Sequence, residues 1–171
     1  MQLSLQTKNT KEVFDVKKKN VKLCLVASQG GHIEELLQLQ MLREKYDYYL
    51  VVPKTAWTEK LAGHKVFIKD MNRKNKITKV LSLIFMFLEQ LPILLKNPAD
   101  VVVTTGAAVA IPICIYAKLF GKKIIYIESM ARINSPSATG KLVYKFADLF
   151  IIQWEELRKF YPKAVYGGVI Y

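Results

Sequence analysis

The sequence VKLCLVASQGGHIEE, residues Val21–Glu35, contains a strand pattern, a glycine pair and a helix start in immediate succession. Its first seven residues are mostly apolar, and the loop Ser28–His32 follows them directly. Backbone N–H groups of such a loop face a ligand above them, and glycines let that ligand approach closely. His32 lies where the helix begins, so its ring reaches the same space. The pattern predicts an anion-binding loop at the end of the first strand.

Strand and helix patterns alternate along the rest of the chain. The predicted strands are Lys22–Ala27, Tyr48–Val52, Val66–Ile68, Val101–Thr104, Lys123–Ile127, Leu149–Ile152 and Val165–Tyr171. The predicted helices are Ile33–Lys45, Ile77–Lys96, Ala107–Phe120, Ser137–Ala147 and Trp154–Tyr161. Alternation of short, continuously apolar strands with helices predicts an α/β fold, a Rossmann-like parallel sheet with helices on both faces. Residues 1–20 read as a polar, basic tail, and residues 21–171 as the folded domain.

The charge balance of the chain indicates an anionic partner. Lysine and arginine number 26 against 14 acidic residues, a net charge of +12. Nucleic acid, anionic lipid and a phosphorylated substrate all fit this excess. Cys24 and Cys114 are predicted to be small core residues, and with only two histidines we expect no metal site and no cofactor. Residues 1–20 lack the apolar run of a signal peptide, so a cytoplasmic location is expected.

Four loops with chemically useful side chains each follow a predicted strand directly. They are Ser28–His32, Thr104–Gly106, Glu128–Asn134 and Gln153–Glu155. In a parallel sheet, ligands collect beyond the carboxyl ends of the strands, so these loops should lie together. Neither GxGxxG nor GxxxxGK[ST] occurs, which disfavours a nicotinamide oxidoreductase or an ATPase.

The first two of these loops contain the residues expected to contact an anionic substrate. Ser28, Gln29, Gly30 and Gly31 are candidate phosphate-binding residues. His32 is the candidate general base or phosphate donor, because a histidine accepts a proton near neutral pH. The alternative is that His32 only caps or packs the helix start.

The second and third loops supply further candidates. Thr105 is the predicted N-cap of the helix Ala107–Phe120, and Gly106 allows close approach of a ligand. Capping alone and ligand contact are equally compatible with this pair. Glu128 ends an apolar strand, where it either orients a sugar hydroxyl as a catalytic carboxylate or pairs with Arg132. Ser129 adjoins it as a further acceptor-binding candidate.

The long helix Ile77–Leu95 is apolar over roughly 200° of its circumference, twice the arc of about 100° that packing on a sheet requires. The predicted core stripe is Ile77, Leu81, Ile84, Leu88 and Leu91. The predicted membrane-associating residues are Leu83, Phe87 and Leu94 together with the basic cluster Arg73, Lys74, Lys76 and Lys79. An apolar helix face beside cations suits an anionic membrane surface. The alternative is that another subunit, or the chain itself, covers this face. Nucleic acid fits less well, because the basic segment has no interleaved aromatic residues and no recognisable binding module.

Several separated motifs resemble one family. They are Ser28-Gln29-Gly30-Gly31-His32 with Glu35, Thr104-Thr105-Gly106, Tyr126–Arg132, Ala147-Asp148, Gln153-Trp154 and Tyr166-Gly167-Gly168. In this order they resemble the acceptor-binding, membrane-associated subunit of two-subunit UDP-sugar glycosyltransferases. That family includes PssD-like capsule and exopolysaccharide proteins and the recruiting subunit of the eukaryotic dolichol-linked UDP-GlcNAc transferase. The pattern is also similar to the N-terminal half of MurG.

The resemblance implies half of a GT-B glycosyltransferase that is active only with its partner. This chain would bind a polyprenyl-diphosphate-linked saccharide acceptor at the cytoplasmic face of an anionic membrane. It would recruit a donor-binding subunit that carries UDP-GlcNAc or UDP-galactose, for inverting transfer in polysaccharide biosynthesis. His32 would be the base, supported by the Gly30–Gly31 backbone, with Glu128 and Arg132 lining the acceptor side. The alternatives are a non-catalytic membrane scaffold that activates a partner transferase and, less strongly, a nucleic-acid-binding domain.

Overall fold

The computed structural model describes residues 21–70 and 75–171. The predicted tail over residues 1–20 lies outside this range, and so do Arg73 and Lys74 of the predicted basic cluster. The side chains of Lys76 and Lys79, and that of Ile77 in the predicted core stripe, are likewise outside the described part of the molecule.

A parallel sheet forms the centre of the fold. Its strands are β1 Lys22–Val26, β2 Asp47–Pro53, β3 His64–Ile68, β4 Val101–Thr104, β5 Lys123–Ile127, β6 Leu149–Ile152 and β7 Val165–Tyr166. These seven strands are ordered β3-β2-β1-β4-β5-β6-β7, and every neighbouring pair is parallel. The predicted Rossmann-like sheet is therefore confirmed. Strand β7 is shorter than expected: Gly167 N still donates to Ile152 O of β6 at 3.0 Å, but Gly168 adopts a φ of 73°, which ends the extended backbone.

Helices cover both faces of the sheet. They are α1 Gly31–Leu37, α2 Gln40–Lys45, α3 Lys76–Lys96, α4 Ala110–Leu119 and α5 Ala138–Val143, with 3₁₀ helices at Thr58–Lys60 and Glu155–Lys159. The predicted helix Ile33–Lys45 is in fact two helices, because Leu39 has a non-helical ψ of 51°. The predicted helix Trp154–Tyr161 is the second 3₁₀ helix.

Alternate strand residues pack into two separate cores. Leu23 and Leu25 point to the core that includes α1, whereas Cys24 and Val26 point to the core that includes α3, α4 and α5. This alternation follows from the two-residue period of a strand. Both cysteines are buried, as predicted, and desolvation raises the pKa of the Cys24 thiol to about 12.

Helix α3 begins at a capping box, in which Asn75 Oδ1 accepts from Thr78 N at 2.8 Å. Its orientation differs from the prediction. The buried residues are Met86, Gln90, Ile93 and Leu94. The exposed apolar residues, here called the α3 stripe, are Val80, Leu81, Ile84, Phe85, Leu88 and Leu95.

The predicted core stripe is therefore wrong for Leu81, Ile84 and Leu88, which are at least half exposed. Of the predicted membrane-associating residues, Leu94 is buried and does not lie on the exposed face, whereas Leu83 and Phe87 are partly exposed and their membrane association stays a prediction. The reason is that α3 packs against α4 as well as the sheet.

The contact between α3 and α4 involves Phe87 and Tyr116. Tyr116 Oη donates to Phe87 O at 2.8 Å, and the two rings meet edge to face with centroids 5.8 Å apart. This second contact turns the helix away from the orientation expected for packing on a sheet alone. Among the residues that the structure describes, no helix has both the length and the hydropathy to cross a bilayer.

Candidate functional site

The loop after β1 leaves open space above its two glycines. Gly30 has φ 79° and ψ −147°, a conformation that is essentially confined to glycine. Gly30 and Gly31 are exposed, and a Cβ built on either would meet no atom within 4 Å. Gln29 is exposed beside them, and Ser28 is buried beneath. A ligand can therefore lie directly against this backbone.

His32 is oriented by the loop after β4. Its Nδ1 lies 3.0 Å from the carbonyl oxygen of Thr105. Because a carbonyl only accepts, Nδ1 carries the hydrogen, and Nε2 of the neutral ring keeps its lone pair. In return, Thr105 Oγ1 donates to His32 O at 2.5 Å. This reciprocal pair joins the two loops, and Nε2 accepts no hydrogen bond from the residues that the structure describes.

Thr105 is not the N-cap that the sequence predicted. Helix α4 begins at Ala110 with Val109 as its N-cap, and the predicted first turn is a loop. Thr104 Oγ1, rather than Thr105, accepts from Gly106 N at 3.0 Å. The threonine pair therefore stabilises the loop, and Thr105 orients His32.

Gly106 permits a close approach between this loop and two side chains. It has a φ of 108°, and a Cβ there would lie 2.7 Å from Tyr126 Oη and 3.6 Å from His32 Cε1. Sequence reasoning assigned no role to Tyr126, which is fully buried in β5. Its hydroxyl lies 3.3 Å from Ser137 Oγ, so it links the site to the start of α5.

Glu128 is fully buried and lies beneath the surface of the site. Its Oε1 accepts from Ser129 N at 3.2 Å, and its Oε2 accepts from Ser137 N at 3.1 Å and Tyr161 Oη at 2.7 Å. Arg132 is exposed and makes no ion pair with it within the described residues, so the predicted pairing is wrong. Both oxygens are engaged by the protein, which corrects the expectation that this carboxylate faces a sugar hydroxyl.

Ser129 is joined to α1 rather than open to a ligand. Its hydroxyl donates to Glu35 Oε1 at 3.1 Å, and Met130 N donates to the same oxygen at 2.8 Å. Sequence reasoning included Glu35 only as part of a motif. The spacing of three residues from His32 places both on one side of a helix and was the available indication.

The structure thus brings most predicted residues together at the carboxyl edge of the sheet. Gly30 and Gly31 are open to a ligand there, His32 is joined to the buried Thr105 and lies near Gly106, and the loop that carries Ser129 and Arg132 is attached through Glu35. Within the described ranges, no three His, Cys, Asp or Glu side chains are grouped closely enough to hold a metal ion.

The family model described as "Oligosaccharide biosynthesis protein Alg14 like" matches residues 23–170. The chain belongs to this family. The Homo sapiens "UDP-N-acetylglucosamine transferase subunit ALG14" is 29% identical over 186 residues, covering 90% of this chain and 84% of the human protein. The Yarrowia lipolytica protein of the same name is 27% identical over 183 residues, covering 92% of this chain and 85% of the relative.

Solved structures show the same architecture as this Alg14-like chain. Acinetobacter baumannii MurG matches with a TM-score of 0.64 at 15% identity, over 80% of this chain and 42% of MurG. UDP-N-acetylglucosamine 2-epimerase from Rickettsia bellii matches with a TM-score of 0.69 at 14% identity, over 89% of this chain and 46% of the epimerase. The chain thus spans less than half of each protein, and at such identities the likeness establishes the fold. Both the predicted family and the GT-B-type fold are confirmed.

Proposed function

We propose that this Alg14-like chain is the acceptor-binding subunit of a two-chain glycosyltransferase. It binds a polyprenyl-diphosphate-linked saccharide and recruits a donor-binding subunit that carries the UDP-sugar. The observation that carries the proposal is His32, which is held by Thr105 and whose Nε2 has no partner among the described residues, beside the open backbone of Gly30 and Gly31. The names of the human and Yarrowia lipolytica relatives favour UDP-GlcNAc over UDP-galactose as the donor.

In the proposed reaction, His32 acts on the acceptor hydroxyl. Nε2 accepts the hydroxyl proton while the oxygen bonds to the anomeric carbon of the donor sugar. The bond from that carbon to the diphosphate breaks on the opposite face, UDP leaves with the electron pair, and the configuration is inverted. A correctly positioned base contributes about 10²–10⁴-fold to such a step. The N–H groups of Gly30 and Gly31 and the exposed Arg132 supply positive potential for the acceptor diphosphate.

We also propose peripheral binding to the cytoplasmic face of the cell membrane through the α3 stripe. Leu81, Ile84, Phe85 and Leu88 are each at least half exposed and lie on successive turns of one side of the helix. Soluble monomeric proteins rarely expose so long a row of apolar side chains to solvent. The net charge of +12 supports an anionic membrane, since each cation near such a surface contributes on the order of 1 kcal/mol.

For the product, we propose a lipid-linked saccharide of the kind used to build a capsule or an exopolysaccharide. The Alg14-like family supports oligosaccharide biosynthesis in general. The narrower product class comes from the resemblance of the motifs to PssD-like proteins.

The deciding experiment is a transfer assay with this chain, a donor-binding partner subunit, and the two mixed. A UDP-[¹⁴C]GlcNAc donor and a polyprenyl-diphosphate-linked monosaccharide acceptor should give product only in the mixture. Full activity of either chain alone would contradict the split site. His32→Ala should abolish most of the transfer while the two chains still co-purify. Undiminished transfer with intact co-purification would instead support the non-catalytic scaffold.

A further inference from the structure

Glu35 connects the two walls of the site. It lies on α1, one turn after His32, and is only 3% exposed. Its Oε1 accepts from Ser129 Oγ at 3.1 Å and from Met130 N at 2.8 Å. These bonds join the helix that carries His32 to the loop after β5.

The other carboxylate oxygen of Glu35 is an exception among the buried polar atoms. Oε2 is buried and has no hydrogen-bond partner within the described residues. Burial raises the pKa of this carboxyl, because it removes water from the ionised form. An unpaired buried oxygen opposes folding, so stability alone does not account for a glutamate here. Such local exceptions are typical of functional positions.

The loop is held from its other side by Trp154. Trp154 Nε1 donates to Met130 O at 2.7 Å, so the N–H of Met130 is bound by Glu35 and its carbonyl by Trp154. Two residues further on, Arg132 N donates to Ser129 O at 2.9 Å and closes a tight turn. The position of Arg132 therefore depends on the anchoring of Ser129 and Met130.

We propose that Glu35 is a positioning residue that fixes the Ser129–Arg132 turn beside His32. By holding Met130 N and Ser129 Oγ, it sets the place of the Arg132 cation relative to the Gly30–Gly31 backbone. The role in substrate binding rests on the proposed function, in which this cation and backbone contact the acceptor diphosphate. Loss of the carboxylate frees the turn and leaves the partly buried N–H of Met130 without its acceptor.

The structural part of this proposal is testable without any transfer activity. The chain has two tryptophans, Trp57 and Trp154, so Trp57→Phe leaves Trp154 as the single reporter of the turn. In that background, Glu35→Ala should shift Trp154 emission to longer wavelength and increase its quenching by acrylamide. Glu35→Gln keeps an Oε1 acceptor and should restore most of the original emission. The matched control is Glu34→Ala, an exposed neighbour on the same helix, which should change nothing.

Unchanged Trp154 emission and quenching in a folded Glu35→Ala variant would overturn the proposal. Circular dichroism establishes folding for each variant. Should Glu35→Ala not fold, Glu35→Asp replaces it, because the shorter side chain withdraws the carboxylate from Met130 N. A Glu35→Asp variant that folds and keeps the original Trp154 emission would also overturn the proposal.

The functional part is tested in the two-chain transfer assay with the same variants. Glu35→Ala should raise the KM for the polyprenyl-diphosphate-linked monosaccharide about tenfold, the effect of weakening one charge-assisted contact, with a smaller change in kcat. Glu35→Gln should recover most of the loss. A fall in kcat with an unchanged acceptor KM would overturn the positioning role. Absence of transfer by the wild-type pair would count against the proposed function, whereas the Trp154 measurement would still decide the link between Glu35 and the turn.

Discussion

Alanine substitutions at Gly30 and Gly31 should separate ligand binding from folding. Gly31 has an ordinary helical conformation with open space where a Cβ would stand, so the protein tolerates alanine there. The acceptor diphosphate would meet that Cβ at the closest point of the loop. At Gly30 the φ of 79° strains the backbone of any residue that has a Cβ, whether or not a ligand is bound.

The two substitutions should affect different properties: Gly31→Ala should reduce ligand affinity, and Gly30→Ala should reduce stability. Gly31→Ala should leave the free energy of unfolding unchanged or raise it by about 0.5 kcal/mol, because alanine restricts the unfolded chain. It should weaken diphosphate binding by about 1.5–3 kcal/mol, the value of a hydrogen bond to a charged group, which is roughly 10- to 150-fold in Kd. Gly30→Ala should cost about 1–3 kcal/mol of stability through backbone strain.

Urea denaturation gives the stability of each variant, and titration calorimetry with a short-chain prenyl diphosphate gives its affinity. Reduced affinity of Gly31→Ala at unchanged stability is the expected result. Native affinity in Gly31→Ala would refute the placement of the diphosphate against this backbone. Equal loss of stability in both variants would refute the assignment of open space above Gly31.

Three further predictions concern other parts of the molecule. The double variant Ile84→Ser, Leu88→Ser should reduce flotation of the protein with vesicles of anionic phospholipid. The control Met41→Ser, which alters an 82% exposed methionine on α2, should not reduce it. Equal flotation of the two variants would contradict membrane binding by the α3 stripe. Glu128→Ala should lower the free energy of unfolding by about 3 kcal/mol, because it leaves the buried hydroxyl of Tyr161 and the partly buried N–H of Ser137 without an acceptor, and a near-native denaturation midpoint would argue against that network. Because Cys24 is fully buried, which raises its pKa to about 12, it should resist iodoacetamide at pH 8 in the folded protein and react once urea unfolds the chain, which mass spectrometry would detect.

Much of the fold was predictable because it depends on local patterns. Short strands such as Val101–Thr104 begin with an unbroken apolar run, here three valines, which is typical of a strand covered on both faces, and the structure buries all four residues. The end of β7 and the break at Leu39 were not predicted, because both depend on backbone conformations that the apolar pattern does not encode.

The apolar periodicity of α3 did not determine which side of the helix packs on the sheet. Its apolar arc was evident from residue spacing, and it predicted a surplus apolar surface. Which side meets the sheet depends on a second neighbour, Tyr116 of α4, whose hydroxyl bonds to Phe87 O. Because that contact joins residues 29 positions apart, no local periodicity contains it.

The sequence by itself determined that the functional loops share one edge, because parallel strands place their carboxyl ends together. It also identified the glycine pair and His32, whose residue types limit the chemistry available. Only the tertiary structure decided the roles of the acidic residues. Glu128 is buried and hydrogen-bonded to Tyr161, 33 residues away, and Glu35 is hydrogen-bonded to Ser129, 94 residues away. Hydrogen bonds across such separations depend on how the elements pack, which no short segment specifies.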